Sequence, residues 1–249
     1  MSSFDYIGGL QAILEEIRTT QLDAIREAGQ MVAAALASGG IVHVFGSGHS
    51  HLIAEEAFFR AGGLAPVHPI FDPRLQFLEG AMESTRAERE PGYARRILER
   101  EELHPEDVAI VISNSGRNAV PVEMAEEMRA RGVKVIAITS VRQSQVLAAR
   151  TVSGKRLFEA ADLAIDNSVP EGDALLELSG QAHRIGASST MAGAAIVNSI
   201  MIEAALELTR LGMAIPLLPS ANTSDSDAAL KALLGRYSSR IRHFEERDR

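Results

Sequence analysis

The apolar positions of the chain follow two alternating patterns, which predict strands separated by helices. Short apolar runs at 41–45, 65–71, 108–113, 133–139 and 163–165 are rich in β-branched residues, as is typical of parallel strands buried on both faces. Between these runs, apolar residues recur every three or four positions, the period of an amphipathic helix. We therefore expect an α/β fold, a flavodoxin-like five-stranded parallel sheet in the order 2-1-3-4-5, with helices on both faces and extra N- and C-terminal helices.

The chain is long enough for one α/β domain with helical additions, and we expect a single domain over residues 1–249. Its three expected parts are an N-terminal helical segment at 1–38, a sheet-forming core at 39–212, and a C-terminal loop and helix at 213–249. The amphipathic pattern of the last part predicts a helix over 228–249.

Several segments outside the strands have distinctive patterns. The N-terminal stripe is long enough to cover its own sheet or a second subunit, and Thr19-Thr20 marks a candidate break in it. The helix predicted after residue 190 is apolar or small on almost every side, which indicates burial in the centre or in an interface. The densely charged segment 72–107 is expected to be helical in pieces, at 74–85 and 92–102, and to be mostly a solvated face.

A glycine-rich turn joins the first strand to the following helix, and we name residues 46–50 loop 1. Glycines let the backbone approach a ligand closely, and a helix N-terminus offers free N–H groups and a favourable dipole to an anion. Phosphate is therefore the expected ligand, although glycines that serve turn geometry alone are the simpler alternative. The candidate binding residues of loop 1 are Gly46, Ser47, Gly48, His49 and Ser50.

The same arrangement recurs after the third strand, and we name residues 113–118 loop 3. In the predicted strand order, loops 1 and 3 converge beyond the carboxyl ends of neighbouring strands, where ligands bind in open α/β sheets. The candidate binding residues of loop 3 are Ser113, Asn114, Ser115, Gly116 and Asn118. A third hydroxyl cluster, Ser188-Ser189-Thr190, begins the late apolar helix and is a further anion-site candidate.

Composition narrows the function. The absence of cysteine excludes disulfides and cysteine-ligated metals, and fits a cytoplasmic protein. A net charge of −8 argues against nucleic-acid binding. The acidic N-terminus does not resemble a signal peptide, and we expect no membrane association because no apolar run reaches the ~20 residues of a span. We also expect neither a cofactor nor a metal site, since the histidines show no metal-binding spacing such as HExxH.

The motifs G-S-G-x-S in loop 1 and S-x-S-G-R in loop 3, with the late Ser/Ser/Thr helix start, resemble the sugar isomerase (SIS) domain family. The resemblance covers about residues 38–212 and implies that serines of the two loops hold the phosphate of a sugar phosphate. Asn118 stands where the family often has threonine. The family also implies a homodimer or homotetramer, with each site completed by the partner subunit. The serines that the resemblance assigns to phosphate are Ser47, Ser50, Ser113 and Ser115.

The expected function is that of a cofactor-independent phosphosugar isomerase. Aldose–ketose isomerisation needs a base to move a proton between adjacent carbons and a group that helps to open the ring, and carboxylates and histidine serve these purposes. Two alternatives stay open: a lyase that resembles N-acetylmuramic acid 6-phosphate etherase, and a non-catalytic phosphosugar sensor. The candidate catalytic residues are Glu55, Glu56, Glu83 and His183.

Overall fold

The computed structural model describes residues 3–220 and 226–244, and its centre is a five-stranded parallel sheet. The strands run across the sheet in the order β2-β1-β3-β4-β5, so β1 and β3 are neighbours. This confirms the predicted flavodoxin-like order and places the topological switch point between β1 and β3. In chain order the strands are β1 (Val42–Gly46), β2 (Val67–Ile70), β3 (Val108–Ile112), β4 (Lys134–Thr139) and β5 (Leu163–Asp166).

Helices connect the strands and cover both faces of the sheet, as the sequence predicts. In chain order they are α1 (Ser3–Thr20), α2 (Leu22–Ala37), α3 (His51–Ala57), α4 (Ala81–Ala87), α5 (Tyr93–Leu98), α6 (Ala119–Ala130), α7 (Val141–Val146), α8 (Leu157–Ala160), α9 (Ser189–Arg210) and α10 (Ser226–Gly235). The first core cluster joins one face of the sheet to α1, α2, α3 and α9, and the second joins the other face to α5, α6 and α8.

Alternate residues of each strand point into the two clusters. Val42 and Val44 of β1 lie in the first cluster, whereas Phe45 of the same strand lies in the second. Strands of this kind are apolar at consecutive positions because both of their faces are buried. This explains why the strands are visible in the sequence as continuous apolar runs.

The N-terminal stripe forms two helices that break at Gln21, next to the predicted position, and it packs on its own sheet. The contact between α2 and α9 is close: at Gly29 a Cβ atom would lie 2.4 Å from Cβ of Glu203. Because such a distance is far below van der Waals contact, only glycine permits this approach of the two helices.

Helix α9 is apolar enough over its 22 residues to pass a length and composition test for a membrane span. It also packs against α2 and α3 as the central helix of one layer, and the core helix of a globular domain passes the same test. Its inner side is buried within the chain, whereas large apolar side chains on its outer side are exposed in the single chain, so burial of that side in an interface stays a prediction. The exposed fractions are 56% for Met191, 60% for Ile202 and 58% for Leu206.

The structure departs from the sequence prediction in three places. Residues 74–80 of the charged segment form turns, and α4 begins only after Gly80, whose φ is 108°. A short antiparallel pair, β6 (Ala174–Leu176) and β7 (Ile185–Ala187), was not predicted, since three-residue strands leave little periodic signal. The C-terminal helix predicted over 228–249 ends at Gly235; residues 245–249 lie outside the described residues.

Ion pairs explain why the chain leaves the helix after Gly235. Arg240 donates to the buried carboxylate of Asp107 at 2.8 Å, and Arg242 donates to Glu101 at 2.6 Å. Turns and a single 3-10 turn at Arg242–Phe244 follow the helix and carry both guanidinium groups to their carboxylate partners. Tertiary contacts therefore override the amphipathic pattern.

Asp107 belongs to a buried polar network at the amino ends of the strands. Nε2 of His43 donates to Asp107 at 3.1 Å, and Nε2 of His68, on the neighbouring strand, donates to Glu101 at 2.7 Å. Burial lowers the pKa of His43 despite the acidic neighbour. Burial alone would raise the pKa of Asp107, but hydrogen bonds from His43 and from backbone N–H groups lower it to about 2.

Candidate functional site

Loop 1 makes the tight turn that its glycines predict. At Gly46 a Cβ atom would lie 2.4 Å from the carbonyl oxygen of Ser50, so no larger residue fits. Gly48 has a φ of 53° and starts a single 3-10 turn that leads into α3. Its N–H donates to the carbonyl of Leu75 at 2.8 Å. One amide of the predicted anion site is therefore already used by the segment after β2.

Loop 3 is held in a similar way beside loop 1. Gly116 has a φ of 58°, and a Cβ atom there would lie 2.6 Å from Oγ1 of Thr139. Its N–H donates to Oγ of Ser113 at 3.3 Å. The hydroxyls of Ser115 and, in loop 1, Ser50 form no hydrogen bond with any other described residue, so both are free to bind a ligand.

Hydrogen bonds of Asn114 connect loop 3 to the neighbouring loops. Its Nδ2 donates to Gln143 at 3.0 Å, and its Oδ1 accepts from Asn167 at 2.9 Å. Its backbone carbonyl accepts from the N–H of Ser140, also at 3.0 Å. Asn114 thus joins the loops that follow three adjacent strands, and its side chain is fully engaged in that role.

A carboxylate that the sequence analysis missed connects loops 1 and 3. Glu88, immediately after α4, accepts a 2.8 Å hydrogen bond from the hydroxyl of Ser47 through Oε1. It accepts a second 2.8 Å hydrogen bond from Nδ2 of Asn118 through Oε2. Two of the predicted phosphate ligands therefore bind an anion of the protein itself. The only sequence signal of Glu88 was its place in the charged segment, which predicted a solvated face.

The third hydroxyl cluster also holds an internal carboxylate. Asp173 accepts from the N–H groups of Ser188 and Ser189 at 2.9 and 2.7 Å, and from the hydroxyl of Ser189 at 2.8 Å. This arrangement caps the N-terminus of α9, where a negative charge is stabilising. Thr190 follows in the first turn of α9 and is half-buried. Asp173 therefore already occupies the backbone N–H groups that the sequence predicted for an anionic ligand.

A cavity of about 360 Å³ opens beside loop 1. Nδ1 of His51 forms a short hydrogen bond with the carbonyl of Gly48, so the other ring nitrogen, Nε2, is available to the cavity. Nε2 lies 3.6 Å from Oε1 of Glu55, one helical turn further along α3. The cavity is lined by His49, His51, Leu52, Glu55, Gln76, Phe77 and Leu78.

This cavity combines an apolar wall with an acid–base pair. Phe77 packs against the ring of His49, with 4.8 Å between ring centroids, and forms the wall that faces α3. His51 and Glu55 place an imidazole and a carboxylate on the opposite side. A pocket with an apolar wall and a few convergent polar groups is the usual form of a small-molecule site.

The structure separates the four predicted catalytic residues. Glu55 lines the cavity, but Glu56 points into a different groove, of about 270 Å³, between α3 and α9. There it binds Arg60 at 2.7 Å and accepts a hydrogen bond from Asn198 at 3.3 Å.

The two remaining predicted catalytic residues do not line this cavity either. Glu83 is bound by Arg74 at 2.8 Å and by Arg86 at 2.9 Å. His183 is exposed in the loop between β6 and β7. Within residues 3–220 and 226–244, no group of three or more His, Asp or Glu side chains is arranged to hold a metal ion.

Known proteins are similar to this chain in sequence. A family model described as the SIS domain matches residues 5–140, more than half of the chain. A UPF0309 protein of Listeria monocytogenes is 40% identical over 237 residues, which cover 95% of this chain and 96% of the relative. A UPF0309 protein of Halalkalibacterium halodurans is 41% identical, covering 95% and 98% of the two chains. The chain therefore belongs to the SIS domain family.

Solved structures share the same fold. A phosphoheptose isomerase of Neisseria gonorrhoeae superposes with a TM-score of 0.53 at 14% identity, covering 80% of this chain and 95% of that one. A phosphoheptose isomerase of Francisella tularensis gives a TM-score of 0.52 at 19% identity, covering 82% and 98%. At these identities the likeness concerns the fold, and it confirms the SIS architecture that the loop motifs predicted.

Proposed function

We propose that this protein binds a phosphorylated sugar at loops 1 and 3 and isomerises it without a cofactor. The observation that carries the proposal is the pairing of free hydroxyls on two converging glycine loops with an acid–base pair in the adjoining cavity. Loops at the carboxyl ends of β1 and β3 lie at the topological switch point, where α/β sheets bind ligands. The name of the two solved structures with this fold, phosphoheptose isomerase, agrees with a sugar phosphate as ligand.

In this proposal the phosphate accepts hydrogen bonds from Ser50 and Ser115, whose hydroxyls have no other partner among the described residues. Ser113 contributes by fixing the N–H of Gly116, and Glu88 holds the two loops at a constant separation. Because these loops are preformed, the protein loses little conformational freedom when their hydroxyls and amides bind a phosphate.

The sugar then extends from the phosphate into the cavity beside Phe77, where Glu55 and His51 act on it. Glu55 removes the proton from the carbon next to the carbonyl while Nε2 of protonated His51 donates a proton to the carbonyl oxygen, which gives an enediol. His51 takes back a proton from the other enediol hydroxyl, and Glu55 returns its proton to the former carbonyl carbon. Every proton removed in the first step is restored in the second, so no cofactor is needed.

We also propose that the chain assembles into a homodimer or homotetramer through the outer side of α9. Exposed large apolar side chains that share one helix face are typical of an interface. Met191, Ile202 and Leu206 are exposed and lie within about 60° of one another around α9. The loop between β6 and β7 carries His183 shortly before α9. In this proposed assembly the loop completes the site of the partner subunit.

A non-catalytic phosphosugar sensor is the second candidate. It is favoured by the observation that three of the four predicted catalytic residues lie outside the cavity, two of them bound by arginines. A lyase would use the same kinds of residue as an isomerase, a carboxylate and a histidine, but it would break the C–O bond of an ether instead of moving a proton between two carbons.

Thermal unfolding against a panel of sugar phosphates, their unphosphorylated sugars and inorganic phosphate tests the binding. A ligand at 100 times its Kd raises the free energy of unfolding by about 2.7 kcal/mol. We expect a shift with phosphorylated sugars alone, lost in Ser115→Ala and kept in Ser239→Ala, an exposed serine near the opposite end of the sheet. Stabilisation by unphosphorylated sugars to the same extent would refute the phosphate site.

Turnover of the stabilising sugar, followed by exchange of its C2 proton with deuterated solvent, then separates enzyme from sensor. We expect Glu55→Gln to lose exchange at least 100-fold with unchanged binding, because a missing general base typically costs 10²–10⁴-fold. Binding without exchange in the wild-type protein would favour the sensor. Glu56→Gln is the matched control and should retain exchange.

A further inference from the structure

Three arginines beside loop 3 form a cluster without a carboxylate partner. Most other described arginines are paired with aspartate or glutamate. Within the part of the chain that the structure describes, no carboxylate lies within ion-pair distance of Arg89, Arg117 or Arg150. Glu88 is the sequence neighbour of Arg89, yet it binds Ser47 and Asn118 instead. In a chain of net charge −8, an unneutralised group of cations calls for an explanation.

Backbone and side-chain contacts hold the cluster together. The N–H of Arg150 donates to the carbonyl of Arg117 at 2.8 Å, and Nη1 of Arg150 donates to Oδ1 of Asn118 at 3.3 Å. Arg117 is itself a residue of loop 3, and its Nε is buried with no hydrogen-bond partner. A buried, unpaired guanidinium nitrogen is costly to leave unsatisfied. Because Arg117 as a whole is only half-buried, the accessible part of its guanidinium group is left to bind a ligand atom.

The charges of the cluster act on one another. Burial lowers the pKa of Arg117, and the nearby charges of Arg150 and Arg89 lower it further. Mutual repulsion of guanidinium groups disfavours their assembly unless an anion neutralises them. Arginine is also the side chain best suited to planar, bidentate binding of phosphate and carboxylate.

We infer that the arginine cluster binds a second anionic group of the ligand, so that the substrate is a sugar phosphate with a further phosphate or carboxylate. This inference rests on the proposed function, in which the first phosphate is held by Ser50 and Ser115. Arg117 follows Ser115 by two residues, so their Cα atoms are at most about 7 Å apart. One sugar with anionic groups at two positions can therefore contact both the serines and the arginines.

Calorimetric titration with five probes tests the inference: inorganic phosphate, pyrophosphate, fructose 6-phosphate, fructose 1,6-bisphosphate and 6-phosphogluconate. We expect the bisphosphate or the phosphate–carboxylate compound to bind at least 10-fold more tightly than fructose 6-phosphate. The variants Arg89→Gln and Arg150→Gln should remove this gain while changing the Kd of fructose 6-phosphate less than twofold. Arg95→Gln, an exposed arginine of α5 that has no ion pair among the described residues, is the matched control and should keep the gain.

The outcomes separate the two proposals. Equal affinity for singly and doubly anionic sugars would overturn the inference but leave the phosphate site intact. An equal loss of both kinds of ligand in the arginine variants would also overturn it, because the cluster would then hold the single phosphate. Binding of no phosphorylated probe by the folded protein would contradict the proposed function as well. Ser115→Ala should abolish the binding of fructose 6-phosphate and, with it, the gain in affinity from a second anionic group. That result would support the inference and the proposed function together.

Discussion

The carboxylate of Glu88 accepts a 2.8 Å hydrogen bond from the hydroxyl of Ser47, across the gap between the segment after α4 and loop 1. With its second oxygen bound to Asn118, Glu88 occupies a position between the two loops that the sequence assigned to phosphate. At the start of α9, Asp173 likewise accepts a hydrogen bond from a group that the sequence assigned to an anionic ligand, the N–H of Ser189. At both places a carboxylate of the chain itself lies where the sequence predicted a bound anion, and ligand binding by these residues stays a prediction.

The first prediction concerns the charge of Glu88. Replacing it with glutamine keeps an acceptor for Ser47 but removes a negative charge near the proposed phosphate. We expect Glu88→Gln to strengthen the binding of inorganic phosphate by on the order of 1 kcal/mol, about five-fold, because repulsion across a few ångströms is partly screened by water. Titration at 50 and 500 mM salt measures it, and the gain should shrink at the higher salt concentration.

Glu99→Gln serves as the matched control for this experiment. Glu99 is exposed at the end of α5, so its replacement changes the net charge equally without touching the loops. Weaker phosphate binding in Glu88→Gln than in the wild type would contradict the prediction and show that the bridge between the loops outweighs the repulsion of the ligand by Glu88.

The second prediction compares two glycines of similar backbone conformation. Gly116 and Gly154 have φ angles of 58° and 73°, but a Cβ atom would collide with Thr139 only at Gly116 and has open space at Gly154. We expect Gly154→Ala to cost about 1–2 kcal/mol from backbone strain alone. Gly116→Ala should cost about 1–3 kcal/mol more, from overpacking. Equilibrium urea unfolding measures both, and equal losses would contradict the close packing of loop 3.

The third prediction follows from the buried pair of His43 and Asp107. The pKa of His43 is lowered from its ordinary 6.5, so below pH 6.5 the unfolded chain binds this proton and the native chain resists it. The free energy of unfolding should therefore fall as the pH drops below 6.5. The pKa of Asp107 is about 2 in the native chain, against an ordinary value of 3.8. Its protonation therefore lowers the free energy of unfolding by a further amount, about 2 kcal/mol, as the pH falls from about 4 towards 2.

Urea unfolding at pH 7.5, 6, 5 and 4 checks the histidine contribution. In His43→Asn the free energy of unfolding should fall less between pH 6.5 and 5 than it does in the wild type. This holds whatever the substitution does to stability at pH 7.5. Asn in place of His104, which is partly exposed, should leave the decline as it is. Stability that rises as the pH falls through 6 would give the wrong sign and refute the assignment.

The fourth prediction tests the outer side of α9. Leu206→Glu places a charge on the exposed apolar surface and should shift the protein to a smaller species in light-scattering measurements, because burying an unpaired charge is costly. Val152→Glu makes the same change at a side chain that is 87% exposed in a loop, and should leave the molar mass unchanged. A wild-type protein that is monomeric at micromolar concentration would contradict the proposed assembly.

The sequence was sufficient to predict the strands of the sheet and the loops between them. Parallel strands that are buried on both faces form continuous apolar runs, and glycine-rich turns mark where these runs end. It was insufficient to choose between Glu55 and Glu56. Adjacent helical residues point about 100° apart, so one of the two glutamates faces α9 and the other does not. The position of α9 decides that Glu56 contacts Asn198 and that Glu55 lines the cavity. It also missed Glu88, because long-range hydrogen bonds between a surface helix and a strand loop have no local pattern.

The charged segment between β2 and β3 supplies the outer wall of the cavity through Gln76, Phe77 and Leu78, and its Leu75 carbonyl covers loop 1. The serines of loops 1 and 3, by contrast, are fixed by the sheet. In the proposed function, phosphate anchoring and sugar selection therefore belong to different parts of the chain. We expect a few changes at 76–78 to alter which sugar fits while the strands, the glycine turns and the proposed phosphate site stay constant, so that substrate choice could diverge among relatives without any change of fold.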